Sequence, residues 1–197
     1  MGVTRLALQL AAPLRKETSG EALAIERARR DPEAFGELYR AHYHAIAAYF
    51  LRRTGDEALA EDLAADTFIA ALQGLKRYRD TGAGFRAWLY RIAANTASRW
   101  YTRSGAQRVR NLAHAEANAG ERDENSHQIA LVREAIETLS ERDKAVLTLA
   151  YFAPMTTAQI ALVLRVPEGT VKSRLARARQ ALGAQIERLT KEEGERP

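Results

Sequence analysis

Apolar residues recur at spacings of three and four along most of this chain, and no stretch alternates between apolar and polar residues as a half-buried strand would. The pattern therefore predicts an all-α protein. The predicted helices span residues 21–30, 32–53, 56–76, 84–103, 128–138, 141–152, 157–164 and 168–190.

Capping residues set several of these boundaries. Asp31 can cap a helix that has Pro32 at its first position, and Asp56 can cap the next helix. Thr156 and Gln159 have the spacing of a capping box, in which each residue's side chain bonds the other's backbone N–H. These signals predict where helices start without any knowledge of how they pack.

One stretch, 104–127, interrupts the helical pattern because it is rich in small and polar residues and poor in large apolar ones. It predicts a flexible linker between two small helical domains, 21–103 and 128–190. Residues 1–20 are expected to form a mobile N-terminal tail, and residues 191–197 a polar C-terminal tail.

Composition narrows the classes of function. Of the 197 residues 46% are hydrophobic, which is enough for a buried core, and there is no cysteine, which excludes disulfides and thiolate zinc sites. The net charge of +5 is compatible with a polyanionic partner. No apolar run approaches the ~20 residues of a membrane helix, so no membrane insertion is expected.

Enzymatic chemistry finds no support in the motifs. The four histidines lack metal-ligand spacing with carboxylates, and the sequence has neither a phosphate loop nor a nucleophile elbow. We therefore expect no catalytic residue, no metal and no cofactor. The histidines are His42, His44, His114 and His127.

The clearest motif is a helix-turn-helix over residues 156–182. A short capped helix, a three-residue turn and a basic second helix follow one another, as in proteins that place the second helix in the major groove. The apolar stripe predicted to face the core consists of Val171, Leu175, Ala178 and Leu182. Arg165 lies in the turn, where many such motifs have glycine for a left-handed residue.

A second feature is acidic. Residues 56–66 contain five acids and no basic residue, with Asp62 and Asp66 one turn apart. Leu59 and Leu63 lie beside these acids, on a different side from a core stripe predicted at Phe68, Leu72 and Leu75. Such a face suits a basic protein partner. The alternative is that Leu59 and Leu63 are also core and the acids only solvate the helix.

A third feature, residues 84–110, has six arginines, five aromatic residues and no acid. The predicted buried stripe consists of Phe85, Leu89, Ile92 and Thr96, and one flank carries Trp88, Arg91 and Asn95. Aromatic, amide and guanidinium groups together suit unpaired bases, which need stacking surfaces, edge hydrogen bonds and phosphate neutralisation. The alternative is that the tryptophans are core, which we expect for Trp100 but not for Trp88.

Taken in order, four strings resemble bacterial RNA polymerase sigma factors of the extracytoplasmic-function (ECF) group. The strings are AEDLAADTF (60–68), GFRAWLYRIAANTASRW (84–100), LSERDKAVLTLAYF (139–152) and VPEGTVKSRLARAR (166–179). The resemblance implies a sigma factor that binds core RNA polymerase and directs promoter-specific initiation by recognising the minus-ten and minus-thirty-five elements.

The resemblance also implies which residues do this work. The acidic helix would bind the clamp helices of the largest polymerase subunit through Asp62, Leu63, Asp66 and Phe68, although the family often has glutamine where this chain has Ala65. The aromatic-basic helix and the loop before it would melt and read the minus-ten element through Trp88, Arg91, Asn95 and Arg99, with Asn95 at a position that lines a pocket for a flipped base. The C-terminal helix would read the minus-thirty-five element through Lys172, Ser173, Arg174, Ala176 and Arg177.

Further partners follow from the same resemblance: the polymerase flap, promoter DNA and an anti-sigma factor. The protein would be cytoplasmic and monomeric when free, and the linker would thread toward the polymerase active-site cleft. The competing interpretation is a free-standing helix-turn-helix transcriptional regulator that dimerises. It would explain residues 156–182 but neither of the other two features.

Overall fold

The chain is all-α over the residues that the computed structural model describes, which are 19–80, 82–113, 131–132, 134–153 and 155–194. The N-terminal unit, 19–113, contains α1 (Ser19–Arg30), α2 (Phe35–Thr54), α3 (Glu57–Gly74) and α4 (Gly84–Ala113). The C-terminal unit, 131–194, contains α5 (131–137, without residue 133), α6 (Glu141–Tyr151), α7 (Thr157–Leu164) and α8 (Glu168–Gly194). Short 3₁₀ turns at Pro32–Ala34 and Leu75–Arg77 precede α2 and follow α3.

The predicted caps are confirmed. Asp31 accepts a hydrogen bond from the backbone N–H two residues on at 2.9 Å, and Asp56 accepts one from three residues on at 3.0 Å. In the capping box, the Gln159 N–H donates to the Thr156 hydroxyl at 3.2 Å and the Thr156 N–H donates to the Gln159 side chain at 3.0 Å. Each cap satisfies an N–H that the first helical turn leaves without an intrahelical partner.

Helix α4 is longer than predicted. It continues beyond residue 103 to Ala113, and so occupies the first part of the stretch assigned to the linker. This stretch contains no proline, and an established helix gains one hydrogen bond for each residue added, so elongation continues even where few side chains are apolar. The remaining linker residues, 114–127, lie outside the described residues. The same holds for 1–18 and 195–197 of the predicted tails.

The buried stripe of α3 differs from the predicted one. Leu63, Phe68 and Leu75 are buried, but Leu72 is 38% exposed, so its assignment to the core was wrong. The true stripe is completed by alanines at positions 60, 64 and 71, which a pattern read from the large apolar residues overlooks. Leu59 packs against the core, half-buried. The alternative is therefore correct in placing Leu59 and Leu63 in or against the core, while the role of the acids is a separate question.

The two units pack against each other. Helix α4 contacts α7, and α2 contacts α6, while one continuous cluster of buried residues includes side chains from both units. A smaller cluster of Leu131, Ala135 and Leu189 joins α5 to the end of α8. The described part of the chain contains no helix that is both long and apolar enough to span a membrane.

Candidate nucleic-acid and protein interfaces

An acidic surface runs along the outer side of α3. We use this name for Asp62, Asp66, Ile69 and Leu72, which are all exposed; Ile69 is 56% exposed. The four residues follow one another at intervals of four, three and three, so they share one side of the helix. The surface thus combines negative charge with accessible apolar area, which is the chemistry of a protein-binding face.

Two residues predicted to contact the polymerase are not accessible. Leu63 is 4% and Phe68 3% exposed. The Phe68 ring packs edge-on against Tyr39, with 4.8 Å between ring centroids, and so holds α3 against α2. In this structure neither side chain offers surface to a partner, whereas Asp62 and Asp66 are exposed.

Asp80 organises the described residues of the loop before α4. One Asp80 carboxylate oxygen accepts hydrogen bonds from the N–H groups of Gly82, at 2.9 Å, and Gly84, at 3.1 Å. These two residues have φ angles of 86° and 79°, which glycine adopts without strain. Between this loop and the first turns of α4 lies a cleft of about 50 Å³, whose lining includes Tyr78, Arg79, Asp80, Trp88 and Arg91.

Trp88 stands at the edge of that cleft, half-buried. Its ring packs against Tyr78 at 4.9 Å and Phe85 at 5.3 Å between centroids. A Cβ added at Gly74 would come within 3.3 Å of the same ring, so α3 limits its movement from a third side. Packing therefore fixes the orientation of Trp88. Trp100, expected to be core, is also only half-buried.

The predicted stripe of α4 is largely confirmed, because Phe85, Leu89 and Thr96 are buried and Ile92 packs half-buried against the core. The flank of this helix lies at the junction between the two units. Arg91 donates from Nε and Nη2 to the Leu162 carbonyl at 3.1 and 2.8 Å.

Asn95 lines a cavity of about 400 Å³ at the same junction. Arg99, one turn further along α4, is exposed, and its Nη2 donates to the Thr96 hydroxyl at 3.4 Å. Of the four predicted minus-ten residues, Arg91 is therefore bonded to the C-terminal unit, and Asn95 is exposed at the edge of the junction cavity.

An ion pair with one buried partner crosses the same junction. Arg53 is 5% exposed, and its Nη2 lies 2.7 Å from an oxygen of Glu141. Its Nη1 donates to the Tyr49 hydroxyl at 3.2 Å, and the guanidinium lies 5.0 Å from the Tyr101 ring centroid. Burial acts to lower the pKa of Arg53, but the two tyrosines and Glu141 outweigh it and raise the pKa above its ordinary value, so the side chain stays charged.

A cation–π contact completes this junction, with Arg52 4.0 Å from the ring centroid of Phe152. We call these junction interactions (Arg53–Glu141, Arg91–Leu162 and Arg52–Phe152) the closed contact. Sequence reasoning missed all three because the partners are far apart in sequence and follow no local pattern. The one available signal was Arg53 itself, a charged residue one turn after Tyr49 on the inner side of α2.

The helix-turn-helix forms as predicted. Val171, Leu175 and Ala178 are buried and Leu182 is half-buried, while Lys172, Ser173, Ala176 and Arg177 are exposed. Arg174 is half-buried and lines the junction cavity. Arg165 ends α7 with φ 54° and ψ 47°, so a non-glycine residue occupies the left-handed position.

Ion pairs fix parts of the exposed face of α8. Arg177 donates to Asp143 of α6 at 2.9 Å, and Lys172 lies 3.0 Å from Glu168. Burial acts to raise the pKa of Asp143, but hydrogen bonds from Arg177 and Ser140, together with the charge of Arg174, lower it below its ordinary value. Asp143 therefore remains ionised near neutral pH and orients Arg177.

Family models match both units: Sigma-70 region 2 over residues 38–107 and Sigma-70 region 4 over residues 129–182. The RNA polymerase sigma-H factor of Pseudomonas aeruginosa is 32% identical, over 85% of this chain and 94% of that protein. The ECF RNA polymerase sigma factor SigL of Mycobacterium tuberculosis is 33% identical, over 77% of this chain and 88% of that protein.

Solved structures show the same fold. CnrH in complex with the cytosolic domain of CnrY aligns with a TM-score of 0.61 and 28% identity, over 84% of this chain and 96% of that chain. The sigma factor RpoE of Bartonella quintana, in complex with the anti-sigma factor NepR, aligns with a TM-score of 0.61 and 22% identity, over 78% of this chain and 96% of that chain. The chain belongs to the sigma factors of bacterial RNA polymerase, in the extracytoplasmic-function group.

Proposed function

We propose that this sigma factor works through three separate surfaces, one for polymerase and two for promoter DNA. As a sigma factor it binds core RNA polymerase and directs transcription initiation at particular promoters. The observation that carries the proposal is that one chain combines the acidic surface of α3 with two arginine-rich helices, α4 and α8. A free-standing regulator would need only the last of these.

Polymerase binding is assigned to Asp62 and Asp66, with Ile69 and Leu72 as the apolar part of the same contact. Charge at the rim of an interface steers association, and buried apolar area supplies affinity. The structure supports this assignment through exposure: these side chains are accessible, whereas Leu63 and Phe68 are not.

Minus-ten recognition is assigned to the unit at residues 21–103, through the loop before α4 and a residue set on that helix: Trp88, Arg91, Asn95 and Arg99. The fixed ring of Trp88 beside the cleft offers a stacking surface, and stacking contributes ~1–3 kcal/mol per base.

Minus-thirty-five recognition is assigned to the unit at 128–190, through Lys172, Ser173, Arg174, Ala176 and Arg177.

These assignments require the closed contact to open. The two promoter elements are centred about 25 base pairs apart, which is about 85 Å of duplex at ~3.4 Å per pair. The closed contact instead holds α4 within hydrogen-bond distance of α7. We therefore propose that the closed form is the free state and that polymerase holds the two units apart.

Further partners and conditions belong to the same proposal. Similar structures contain CnrH with the cytosolic domain of CnrY and RpoE with the anti-sigma factor NepR, which supports an anti-sigma factor as a partner of this chain also. The protein would act in the cytoplasm as a monomer and without a cofactor. It would open promoters through binding energy rather than catalysis.

Transcription with purified core polymerase tests the proposal. The wild-type protein should give run-off transcripts from a subset of templates in a promoter library, and core alone should not. Tight binding of the free protein to duplex DNA as a dimer, with no effect on core, would instead establish the free-standing regulator.

Charge reversal tests the polymerase contact. The double variant Asp62→Arg, Asp66→Arg should lose core binding in a pull-down, because like charges then face each other, and should keep the duplex affinity of the C-terminal unit. The control variant Glu33→Arg, Glu187→Arg makes the same change in net charge at exposed positions elsewhere. Equal affinity of the two variants for core polymerase would contradict the assignment of Asp62 and Asp66 to the polymerase contact.

A further inference from the structure

Arg29 connects α1 to the start of the loop before α4. Its Nε donates to the Leu75 carbonyl at 3.3 Å, and its Nη2 donates to the Tyr78 carbonyl. Leu75 is the first residue of the 3₁₀ turn that follows α3, and Tyr78 is the residue that follows this turn. The Leu75 carbonyl also accepts from the Tyr78 N–H at 3.1 Å, and the Tyr78 carbonyl also accepts from Arg79 Nη1 at 3.0 Å. Arg29 therefore adds a second, charged donor to each of two carbonyls near this helix end, where the helix dipole favours a cation.

Tyr78 is the residue at which the chain leaves this turn and enters the loop. Its side chain is 4% exposed and packs against Phe85 and Trp88 at the start of α4. The Arg29 guanidinium lies 5.9 Å from the Tyr78 ring centroid, so it contacts the carbonyl and faces the ring of the same residue. The position of Tyr78 is thus determined from α1 on one side and from α4 on the other.

The loop therefore has two fixed points. At its start Arg29 holds Tyr78, and at its end Asp80 holds the N–H groups of Gly82 and Gly84. The cleft beside Trp88 lies between these points and α4. A displacement of Tyr78 would alter both the width of the cleft and the packing of the Trp88 ring.

We propose that Arg29 is a positioning residue for minus-ten recognition: it sets the geometry of the loop and of Trp88 without touching DNA itself. The inference rests on the proposed function, in which this loop and α4 read the minus-ten element. It gives a role in promoter discrimination to α1, which lies outside residues 38–107, the part of the chain that matches region 2.

A neighbouring arginine of α1 provides a matched control. Arg27 pairs with Glu37 of α2 at 2.6 Å, and its side chain is 60% exposed. Arg29 pairs with Glu26 on its own helix, and its side chain is only 22% exposed. Arg27 therefore joins α1 to α2, whereas Arg29 joins α1 to the loop, and the two substitutions separate these roles.

The test measures base discrimination by the holoenzyme. Full-length wild type, Arg29→Gln, Arg29→Lys and Arg27→Gln are each combined with core polymerase. Run-off transcription then compares the strongest library promoter with templates that carry single-base changes in either element. The measured quantity is the ratio of transcript from the parent template to that from each changed template. A variant that only folds less well loses transcript on all templates alike, so its ratios do not change.

Arg29→Gln should lower the ratio about fivefold or more at one or more minus-ten positions, since it removes two hydrogen bonds from a charged donor. Ratios at minus-thirty-five positions should stay within about twofold of wild type. Arg29→Lys should be intermediate, because an ammonium keeps the charge but lacks the planar fork. Arg27→Gln should match wild type at every position.

Unchanged minus-ten ratios in Arg29→Gln would overturn the inference, as would equal losses at both elements. If thermal unfolding shows that Arg29→Gln does not fold, the transcript ratios of Arg29→Lys test the inference instead. Ratios equal to wild type at every position of both elements would overturn the inference. Failure of the proposed function is a distinct result, because the wild-type protein itself would then give no core-dependent transcript.

Discussion

Replacing Glu141 by glutamine should open the closed contact. The substitution keeps the size of the side chain and removes the charge that faces Arg53. The Arg53 guanidinium would remain charged and buried, and it would face a neutral amide oxygen and the Tyr49 hydroxyl in place of a carboxylate. Its Nε already has no hydrogen-bond partner among the described residues, so no other group there compensates for the lost negative charge.

The expected magnitude follows from the burial of the two partners. Removing one partner of a fully buried pair costs ~3–5 kcal/mol, whereas exposed pairs contribute ~0–1 kcal/mol. The Arg53 side chain is 4% exposed and that of Glu141 37%, so the cost to the closed form should lie between these limits, at about 2 kcal/mol. In the open form water hydrates Arg53. The ratio of open to closed molecules should therefore rise about 30-fold.

Binding of single-stranded DNA reports this shift. Arg91 is bonded to Leu162 and Asn95 lines the junction cavity, so the closed form should bind a minus-ten oligonucleotide much more weakly than the open form. The apparent affinity equals the intrinsic affinity multiplied by the open fraction. Fluorescence anisotropy should show tighter binding by Glu141→Gln, up to about 30-fold if the wild type is almost entirely closed.

A distance measurement gives an independent readout. Because the chain contains no cysteine, two cysteines introduced at the exposed positions Gln73 and Gln180 can carry a donor and an acceptor dye. Energy transfer should fall in Glu141→Gln. The control is Glu137→Gln, which removes a 2.8 Å ion pair with Lys144 inside the C-terminal unit and should change neither measurement.

Unchanged affinity and unchanged energy transfer in Glu141→Gln would refute this reasoning. The same changes in the Glu137 variant would show instead that a weakened C-terminal unit, rather than the junction, is responsible.

Two predictions concern the C-terminal unit. Arg165→Gly should raise the free energy of unfolding by about 1 kcal/mol relative to Arg165→Ala in urea titrations, because glycine adopts the left-handed conformation without strain; equal stabilities would show that the turn is not strained. Asp143→Asn should lower the melting temperature by a constant amount from pH 7 to about pH 5. Since the folded-state pKa of Asp143 lies below its unfolded value of ~3.9, the wild-type advantage should be lost as the pH falls below about 4, through the folded pKa. A difference independent of pH down to 3 would mean that the charge of Asp143 contributes nothing.

The sequence predicted best those features that depend on residues close together in the chain, such as helix caps and the apolar side of a single helix. The capping box of Thr156 begins a helix whose predicted range, 157–164, is the observed one. The stripe of α8 was predicted equally well, since it lies on one helix with one buried side.

The failures have a different origin. Helix α3 packs against both α2 and α4. The spacing of apolar residues along α3 does not show which sides of this helix the two neighbours cover, so Leu72 was wrongly assigned to the core. Arg29 and Arg53 were missed because their main partners lie 46 to 49 and 88 residues away in sequence. Such contacts form only when the helices pack against one another, so the spacing of apolar residues along the sequence does not predict them.

The closed contact also constrains how this sigma factor can evolve or be redesigned. Under the proposed assignment of Arg91 to the minus-ten element, a substitution there that changes the base preference also changes the bond to Leu162, and with it the fraction of free protein in the open form. The base preference at the minus-ten element and the balance between the closed and open forms are therefore coupled at that position. Lys172, Ser173 and Ala176 are exposed and do not line the junction cavity. Variants at these three positions offer the simpler route to an orthogonal promoter pair, because selection there can act on one property at a time.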